Sequence, residues 1–145
     1  MRLSRFSDLS LRALMYLGTH PDRWISSGEL AERMSVSRDH LMKTLQSLSD
    51  AGHVQSKRGR EGGFTLADSA GAVRIGALVR TLEPSLAMAE CFEPGSTCPL
   101  TPDCRLADAL AEAQRSFFEC LDRYTLADLL RANRPQLVQL GGPTR

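Results

Sequence analysis

The sequence lacks any apolar run long enough to cross a membrane, and its first residues, M-R-L-S-R-F-S-D, lack the apolar core of a signal peptide. We therefore expect a cytoplasmic protein with no membrane partner. Thiols stay reduced in that compartment, so metal ligation is favoured over a disulfide framework for the four cysteines. With 145 residues, the chain is long enough to bury one hydrophobic core.

Signals of catalysis are also scarce. The three histidines, His20, His40 and His53, all lie in the N-terminal half. No nucleophile motif surrounds any cysteine, and the chain has no internal repeat. We therefore expect that the protein is not an enzyme.

The chain as a whole has no large excess of one charge, since its formal net charge is +1. Its charges are unevenly divided along the sequence, however. Residues 1–60 carry ten Lys and Arg against six Asp and Glu, whereas residues 61–145 carry eight against eleven. Because the basic part comes first, a polyanionic partner is expected at the N-terminal half.

Regular structure is excluded from the stretch C-F-E-P-G-S-T-C-P-L-T-P-D-C, because it contains three prolines and a glycine. Cys91, Cys98 and Cys104 are separated there by six and then five residues, so three thiolates can turn onto one soft metal centre. The spacing matches neither zinc knuckles nor ferredoxin runs. A loop of free thiols, or one disulfide with a spare cysteine, remains the alternative. We interpret Cys120, in a predicted helix, as a buried packing residue.

Helical periodicity and capping residues predict a helix-turn-helix in the basic half. An amphipathic helix over residues 6–17 comes first. Ser26 and Glu29 form an S-x-x-E capping box that opens a second helix, and Ser37 caps a third that ends at Ala51-Gly52. The outer face of the third helix is predicted to carry Arg38, His40, Lys43, Thr44 and Ser47.

A basic β-hairpin is predicted after the third helix. Two short strands, at residues 53–57 and 64–66, flank R-G-R-E-G-G, whose glycines suit a tight turn. A helix-turn-helix followed by such a wing is typical of DNA-binding domains. In these domains the second helix of the motif, which is the third helix of this chain, enters the major groove, and a wing arginine enters the minor groove. The residues predicted to contact double-stranded DNA are Ser37, Arg38, His40, Lys43, Lys57, Arg58 and Arg60.

A long apolar stripe follows the cysteine stretch. It has no cover within a small winged domain, so the same helix of a second copy is its simplest partner. Thr125 and Asp128 predict a short capped helix after it. The stripe consists of Leu106, Leu110, Ala113, Phe117, Leu121 and Tyr124, at steps of three and four.

The predicted fold class is mainly α with a small β-wing, a winged helix-turn-helix domain plus a long C-terminal dimerisation helix. The winged domain spans 1–83 and the cysteine loop 84–104. The dimerisation helix and the short helix span 105–131, and 132–145 is a flexible tail.

Several motifs in succession resemble the winged-helix iron-sulfur repressors, over nearly the whole chain. They are M-R-L-S-R-F-S-D-L-S-L-R-A-L, S-R-D-H-L-M-K, R-G-R-E-G-G, R-I-G-A-L-V-R-T-L-E-P, the cysteine loop and L-D-R-Y-T-L-A-D-L-L. The likeness is greatest to the nitric-oxide-sensing members of that family. It implies a homodimer with one iron-sulfur cluster per subunit, held by Cys91, Cys98 and Cys104.

The fourth ligand separates the members of that family. Those that regulate cluster assembly have a histidine three residues past the last cysteine, where this chain has Ala107. In the nitric-oxide-sensing members an aspartate of the partner's first helix is the ligand, and the matching residue is Asp8. From the residues alone, Asp8 is a surface partner of Arg12 one turn later.

The resemblance implies a repressor that binds a two-fold symmetric operator with its cluster intact and releases it when the cluster is nitrosylated. A [4Fe-4S] cluster is expected, with [2Fe-2S] left open. Two alternatives also stay open. One is a regulator of the same family that responds to iron or to cluster status, and the other is a zinc-stabilised winged-helix interaction module.

Overall fold

The structure, a computed structural model, describes residues 2–100 and 103–131. It is mainly helical with one two-stranded antiparallel sheet, which confirms the predicted fold class. The predicted tail at 132–145 lies outside the described residues. The elements are α1 (Arg5–Gly18), α2 (Ser27–Met34), α3 (Arg38–Asp50), β1 (Val54–Lys57), β2 (Gly63–Leu66), a 3-10 turn (Asp68–Ala72), α4 (Ile75–Leu82), a second 3-10 turn (Glu90–Phe92) and α5 (Arg105–Leu121), with a last helical stretch at 126–131.

Serine side chains define where the first three helices begin. Ser4 accepts a hydrogen bond from the backbone N–H of Ser7, Ser26 from that of Glu29 and Ser37 from that of His40, at 3.1 to 3.3 Å. Each bond satisfies a donor that has no partner inside the helix. The turn between α2 and α3 passes through Ser35 in a left-handed conformation, φ 55°. The second and third helices therefore start where the sequence predicted.

The core lies where α1 packs against α2, α3 and α4. Leu14, Leu17, Leu30, Leu41 and Leu45 are fully buried there. Burial of such side chains contributes about 1.5–3 kcal/mol each to folding. Within the described ranges, none of the helices is long and apolar enough to span a membrane.

The predicted capping box forms only in its Ser26 half, because the Glu29 carboxylate is used elsewhere. Its carboxylate accepts hydrogen bonds from the Arg23 guanidinium, at 2.9 Å, and from the buried Tyr16 hydroxyl, at 3.0 Å. The hydrogen bond with Arg23 lowers the pKa of Glu29, while burial and Glu29 raise the pKa of Tyr16. The contacts tie α1 to the start of α2.

An isolated bridge anchors the wing to the core, in addition to the packing of its strands against α1 and α3. Ile25 is fully buried and exchanges two backbone hydrogen bonds with Phe64 of β2, of 2.9 and 2.8 Å. Gly63 makes this approach possible, because a Cβ at that position would lie 2.5 Å from the Ile25 carbonyl oxygen. The bridge fixes the hairpin relative to the helix-turn-helix.

The C-terminal end of α5 is attached to the start of α4. Ile75 donates its N–H to the Tyr124 carbonyl, and Leu126 donates to the Val73 carbonyl. Arg80 forms a salt bridge of 2.7 Å with Asp122, which lowers the pKa of that carboxyl. Thr125 and Asp128 cap the last helical stretch reciprocally, and these hydrogen bonds lower the pKa of Asp128 to about 2.

The remainder of α5 is open on its apolar side. Phe118 is the buried residue of α5, with Phe117 and Leu121 packed beside it at the edge of the core, whereas Leu106 is 66% exposed. Phe117 and Leu121 line an apolar groove of about 240 Å³ together with Leu3, Leu11, Ile75 and Val79. Cys120 was interpreted as a buried packing residue, but its side chain is only half-buried.

Candidate nucleic-acid interface and cysteine loop

The exposed face of α3 carries most of the residues predicted to read DNA. Arg38, His40 and Lys43 are exposed, and so is Ser37, whose hydroxyl caps the helix. Thr44, which we had placed on this outer face, is completely buried, and its hydroxyl bonds the His40 carbonyl. The prediction for Thr44 was wrong because the apolar surface that packs against α1 and α2 extends further around α3 than its leucines indicate.

The Arg38 side chain is held in place by α2. Its Nε donates a hydrogen bond of 3.0 Å to the Ser27 hydroxyl. Ser27 was not among the residues singled out from the sequence, since a serine beside a capping serine carries no distinct signal. Arg38 therefore occupies a defined position at the start of α3.

Another α3 residue also escaped the sequence reasoning. Met42 is 38% exposed although it is apolar, and it lies one turn after Arg38. An apolar side chain at the base-reading end of such a helix suits the methyl group of thymine. Its spacing of four residues from Arg38, which places both residues on the same face of α3, is the sequence signal that could have identified it.

The wing presents three exposed cations. Lys57 ends β1 and lies 5.9 Å from the centre of the Trp24 ring, while Arg58 and Arg60 belong to the turn. The turn is closed by a 3.0 Å hydrogen bond from the Gly62 N–H to the Gly59 carbonyl. Gly59 has φ +110°, a conformation that glycine adopts readily. The structure thus brings the predicted arginines to the tip of a hairpin.

The salt bridges of the described residues lie away from the cations predicted to face DNA. Arg12, Arg23, Arg80 and Arg131 each form a salt bridge with a carboxylate. Within residues 2–100 and 103–131, these salt bridges include none of the cations predicted to face DNA, namely Arg38, Lys43, Lys57, Arg58 and Arg60. Unpaired cations on α3 and on the wing leave a positive surface that suits a phosphate backbone.

Arg60→Ala is expected to weaken DNA binding by about tenfold and to make it less dependent on salt, because a groove-facing arginine displaces condensed counterions. Fluorescence anisotropy at several salt concentrations measures both effects. Arg131→Ala removes the same charge from the C-terminal helical stretch and is the matched control. Equal affinity of the Arg60 variant and the wild type would remove the wing from the interface.

The three loop cysteines lie in different local settings. Cys91 is in the 3-10 turn, Cys98 is in irregular chain with its N–H directed to the Ser96 hydroxyl, and Cys104 precedes α5. All are half-buried free thiols. In the part of the chain that the structure describes, no three Cys, His, Asp or Glu side chains converge on a metal-sized site. A single protomer therefore does not gather the predicted ligands.

The chemistry of these donors fits an iron-sulfur cluster. Thiolates are soft ligands, and they are the usual protein ligands of iron-sulfur centres. Among the described residues of the loop, the backbone hydrogen bonds that join loop residues to one another are short-range ones within residues 89–96, so the thiols can approach one another without breaking a long helix or a strand. Cys104 also stands at the N-terminus of α5, where the helix dipole favours negative charge.

Asp8 lies in the first turn of α1 and faces solvent. Its side chain is 59% exposed, and its carboxylate lies 3.5 Å from the Arg12 guanidinium, as the one-turn spacing predicted. The start of α1 is also linked to the C-terminal end of α4, just before the cysteine loop, because the backbone N–H of Ser4 donates to the Glu83 carboxylate at 2.9 Å. Asp8 is thus accessible to a second subunit.

Comparison with known proteins gives one family over almost the whole chain. Residues 3–132 match the Rrf2 family, described as "Iron-dependent Transcriptional regulator". IscR of T. potens is 27% identical with a TM-score of 0.72, over 94% of this chain and 90% of that one.

Two solved structures of CymR share the fold. CymR of B. subtilis, called the global cysteine regulator of that organism, is 23% identical with a TM-score of 0.71, over 91% of this chain and 98% of that one. The oxidised form of Staphylococcus aureus CymR is 24% identical with a TM-score of 0.70, over 90% and 96%. The helix-turn-helix, the basic wing and the match over residues 3–132 together show that this chain belongs to the Rrf2 family of transcriptional regulators, with a DNA-binding winged helix.

Proposed function

We propose that this protein is a homodimeric repressor that senses nitric oxide through an iron-sulfur cluster. The cluster type that we propose is [4Fe-4S]. The ligands are Cys91, Cys98 and Cys104 of one subunit and Asp8 of the partner subunit. One observation carries the proposal. Three free, half-buried thiols share an irregular loop that follows Glu83, the last residue of the predicted winged domain, and the Glu83 carboxylate accepts the Ser4 N–H just before α1.

The apolar side of α5 supports the homodimer. Leu106 of α5 and Tyr124, three residues past its end, are exposed, and Phe117 and Leu121 line an apolar groove rather than a closed core. A second α5 would cover the stripe and remove that area from water. It would also let a residue of one subunit reach the loop of the other, which a fourth ligand from the partner requires.

The carboxylate of Asp8 differs in kind from the three thiolates. An oxygen ligand is harder and more readily displaced from iron than a thiolate sulfur. When bound, the cluster supplies iron that can take a small diatomic ligand. The motifs of the chain most resemble those of the nitric-oxide-sensing repressor NsrR, whose matching residue is an aspartate, and this resemblance supports Asp8 as the ligand.

Helix α1 connects this ligand to the DNA-reading surface. It packs against α3 and against β2, so a change in the position of α1 is transmitted to the recognition helix and to the wing. Two recognition helices of a dimer must lie about 34–36 Å apart to match successive turns of DNA. Release of Asp8 from the partner's loop would alter that spacing and weaken operator binding.

The proposal is tested by adding nitric oxide to anaerobically purified protein bound to operator DNA. We expect a brown protein that bleaches and releases DNA, with a loss of affinity of about 5- to 150-fold. The Asp8→Ala variant should show an altered cluster spectrum and an altered nitric oxide response. A colourless protein with zinc on the thiols, or unchanged DNA binding after nitrosylation, would contradict the proposal.

A response to iron is the second candidate signal, which the family description "Iron-dependent Transcriptional regulator" supports. In that case loss of the cluster under iron limitation is the event that changes DNA binding. Release of DNA by an iron chelator and by nitric oxide, compared at equal cluster occupancy, separates the two signals. Nitric oxide must act at full occupancy for the first candidate to hold.

A further inference from the structure

We infer that Ser27 is a specificity-determining residue: its hydroxyl fixes the Arg38 guanidinium so that the two terminal amino groups read one guanine in each half of the operator. The inference rests on the DNA-reading role of α3. It goes beyond that role because it assigns a base preference to a residue of α2, which is the helix that does not enter the groove.

The contact joins the beginnings of two helices. Ser27 is the first residue of α2 and Arg38 the first residue of α3, and the Arg38 Nε lies 3.0 Å from the Ser27 Oγ. Ser27 is only 7% exposed, so its hydroxyl has little freedom to move. The arginine is therefore oriented by a buried group of the core and not by a mobile surface side chain.

The hydrogen bond uses the part of the guanidinium that base reading does not need. An arginine has five N–H donors, and the Nε–H is one of them. The terminal amino groups of Arg38 have no hydrogen bond and no carboxylate partner among the described residues. Those groups form the fork that binds O6 and N7 of guanine in the major groove, and residues at the start of a recognition helix are the ones that reach base edges.

Fixing the side chain sharpens discrimination between bases. A free arginine loses rotamer freedom when it binds, and it can also turn away from a wrong base to meet a phosphate. An arginine already held at Nε has lost much of that freedom and cannot turn away as easily. A base other than guanine then leaves the fork unpaired, which lowers affinity.

The Ser27 hydroxyl does not make the capping bond of its helix, which allows positioning of Arg38 to be separated from helix capping. The capping bond of α2 is made by its neighbour Ser26, which accepts the Glu29 N–H at 3.1 Å. Removing the Ser27 hydroxyl therefore affects Arg38, whereas removing the Ser26 hydroxyl affects the helix. The two adjacent serines provide a matched pair of variants.

The test uses the full-length, anaerobically purified protein and a library of double-stranded DNA with a randomised centre. The preferred sequence of the wild type is selected first, and affinities are then measured for every single base-pair change in it. Ser27→Ala should reduce the preference for one G·C pair in each half-site by about three- to tenfold, and Arg38→Ala should reduce the preference for the same pair. Preferences at other positions should stay as in the wild type.

The controls make the outcome specific. Ser26→Ala, which loses the helix cap, should keep the wild-type base preferences. The double variant Ser27→Ala/Arg38→Ala should behave as Arg38→Ala alone, because Ser27 acts through the arginine. Unchanged preferences in Ser27→Ala, or an effect on a pair that Arg38→Ala leaves unaltered, would overturn the inference while leaving DNA binding and nitric oxide sensing in place. A wild-type protein that selects no sequence would overturn the inference together with the DNA-reading role of α3.

Discussion

Cys98→Ser is expected to abolish iron-sulfur loading and to lower operator affinity by about 5- to 150-fold. Cys98 lies between the other two cysteines of the loop, and a serine hydroxyl is a poor substitute for a soft thiolate. Under the proposed function, a loop without its cluster would have nothing to bind Asp8 of the partner subunit, so the dimer would lose the contact proposed to set the spacing of its recognition helices. Iron and sulfide analysis and visible absorption measure the loading, and anaerobic DNA titration measures the affinity.

Cys120→Ser is the matched control for this prediction. It removes a thiol of the same chain that is also free and half-buried but lies in α5, outside the loop. This variant should keep the wild-type iron content and DNA affinity, whereas Cys91→Ser and Cys104→Ser should behave as Cys98→Ser does. Full loading of a loop variant, or loss of loading in Cys120→Ser, would mean that the three loop thiols are not the ligand set.

Gly63→Ala is expected to lower the free energy of unfolding by about 2–4 kcal/mol, because the added Cβ meets backbone that cannot move aside. That Cβ would lie 2.5 Å from the Ile25 carbonyl oxygen and 2.8 Å from the Ile25 carbonyl carbon. Ile25 is completely buried, so the strand must move instead, and the two hydrogen bonds between Ile25 and Phe64 are lost. Urea unfolding followed by circular dichroism measures the change.

DNA binding should weaken in the same variant, since the wing that carries Arg58 and Arg60 loses its anchor. Gly59→Ala is the comparison, as it lies in the same hairpin and a Cβ there meets no atom within 4 Å. Its cost comes only from the positive φ of +110° and should be about 1–2 kcal/mol. A Gly63 variant as stable as the Gly59 variant would show that the close approach to Ile25 does not hold the wing.

Those parts of the fold that depend on neighbours in sequence could be predicted from it. Ser26 and Ser37 cap the helices that they were expected to cap, Asp8 meets Arg12 one turn later, and Thr125 and Asp128 cap the last helical stretch. Each of these contacts spans four residues or fewer. The spacing of side chains along the chain is enough to decide them.

Predictions that depended on the direction of a side chain were less secure. Thr44 was placed on the outer face of α3 but is buried, and Cys120 was expected to be buried but is partly exposed. Both residues lie near the boundary between the apolar and the polar face of their helices. Their burial is then set by what packs against the helix, which periodicity alone does not give.

The sequence by itself determined the order of helices and strands, the position of the wing and the irregular cysteine loop, because caps, glycines and prolines act over a few residues. Only the tertiary structure decided which distant groups meet: the Ser27 hydroxyl with Arg38, the Gly63 backbone with Ile25, and Glu83 with the start of α1. These contacts join residues 11 to 79 positions apart. Such pairs form only when the helices pack, since the geometry between them is fixed by the common core and not by the spacing of residues along the chain.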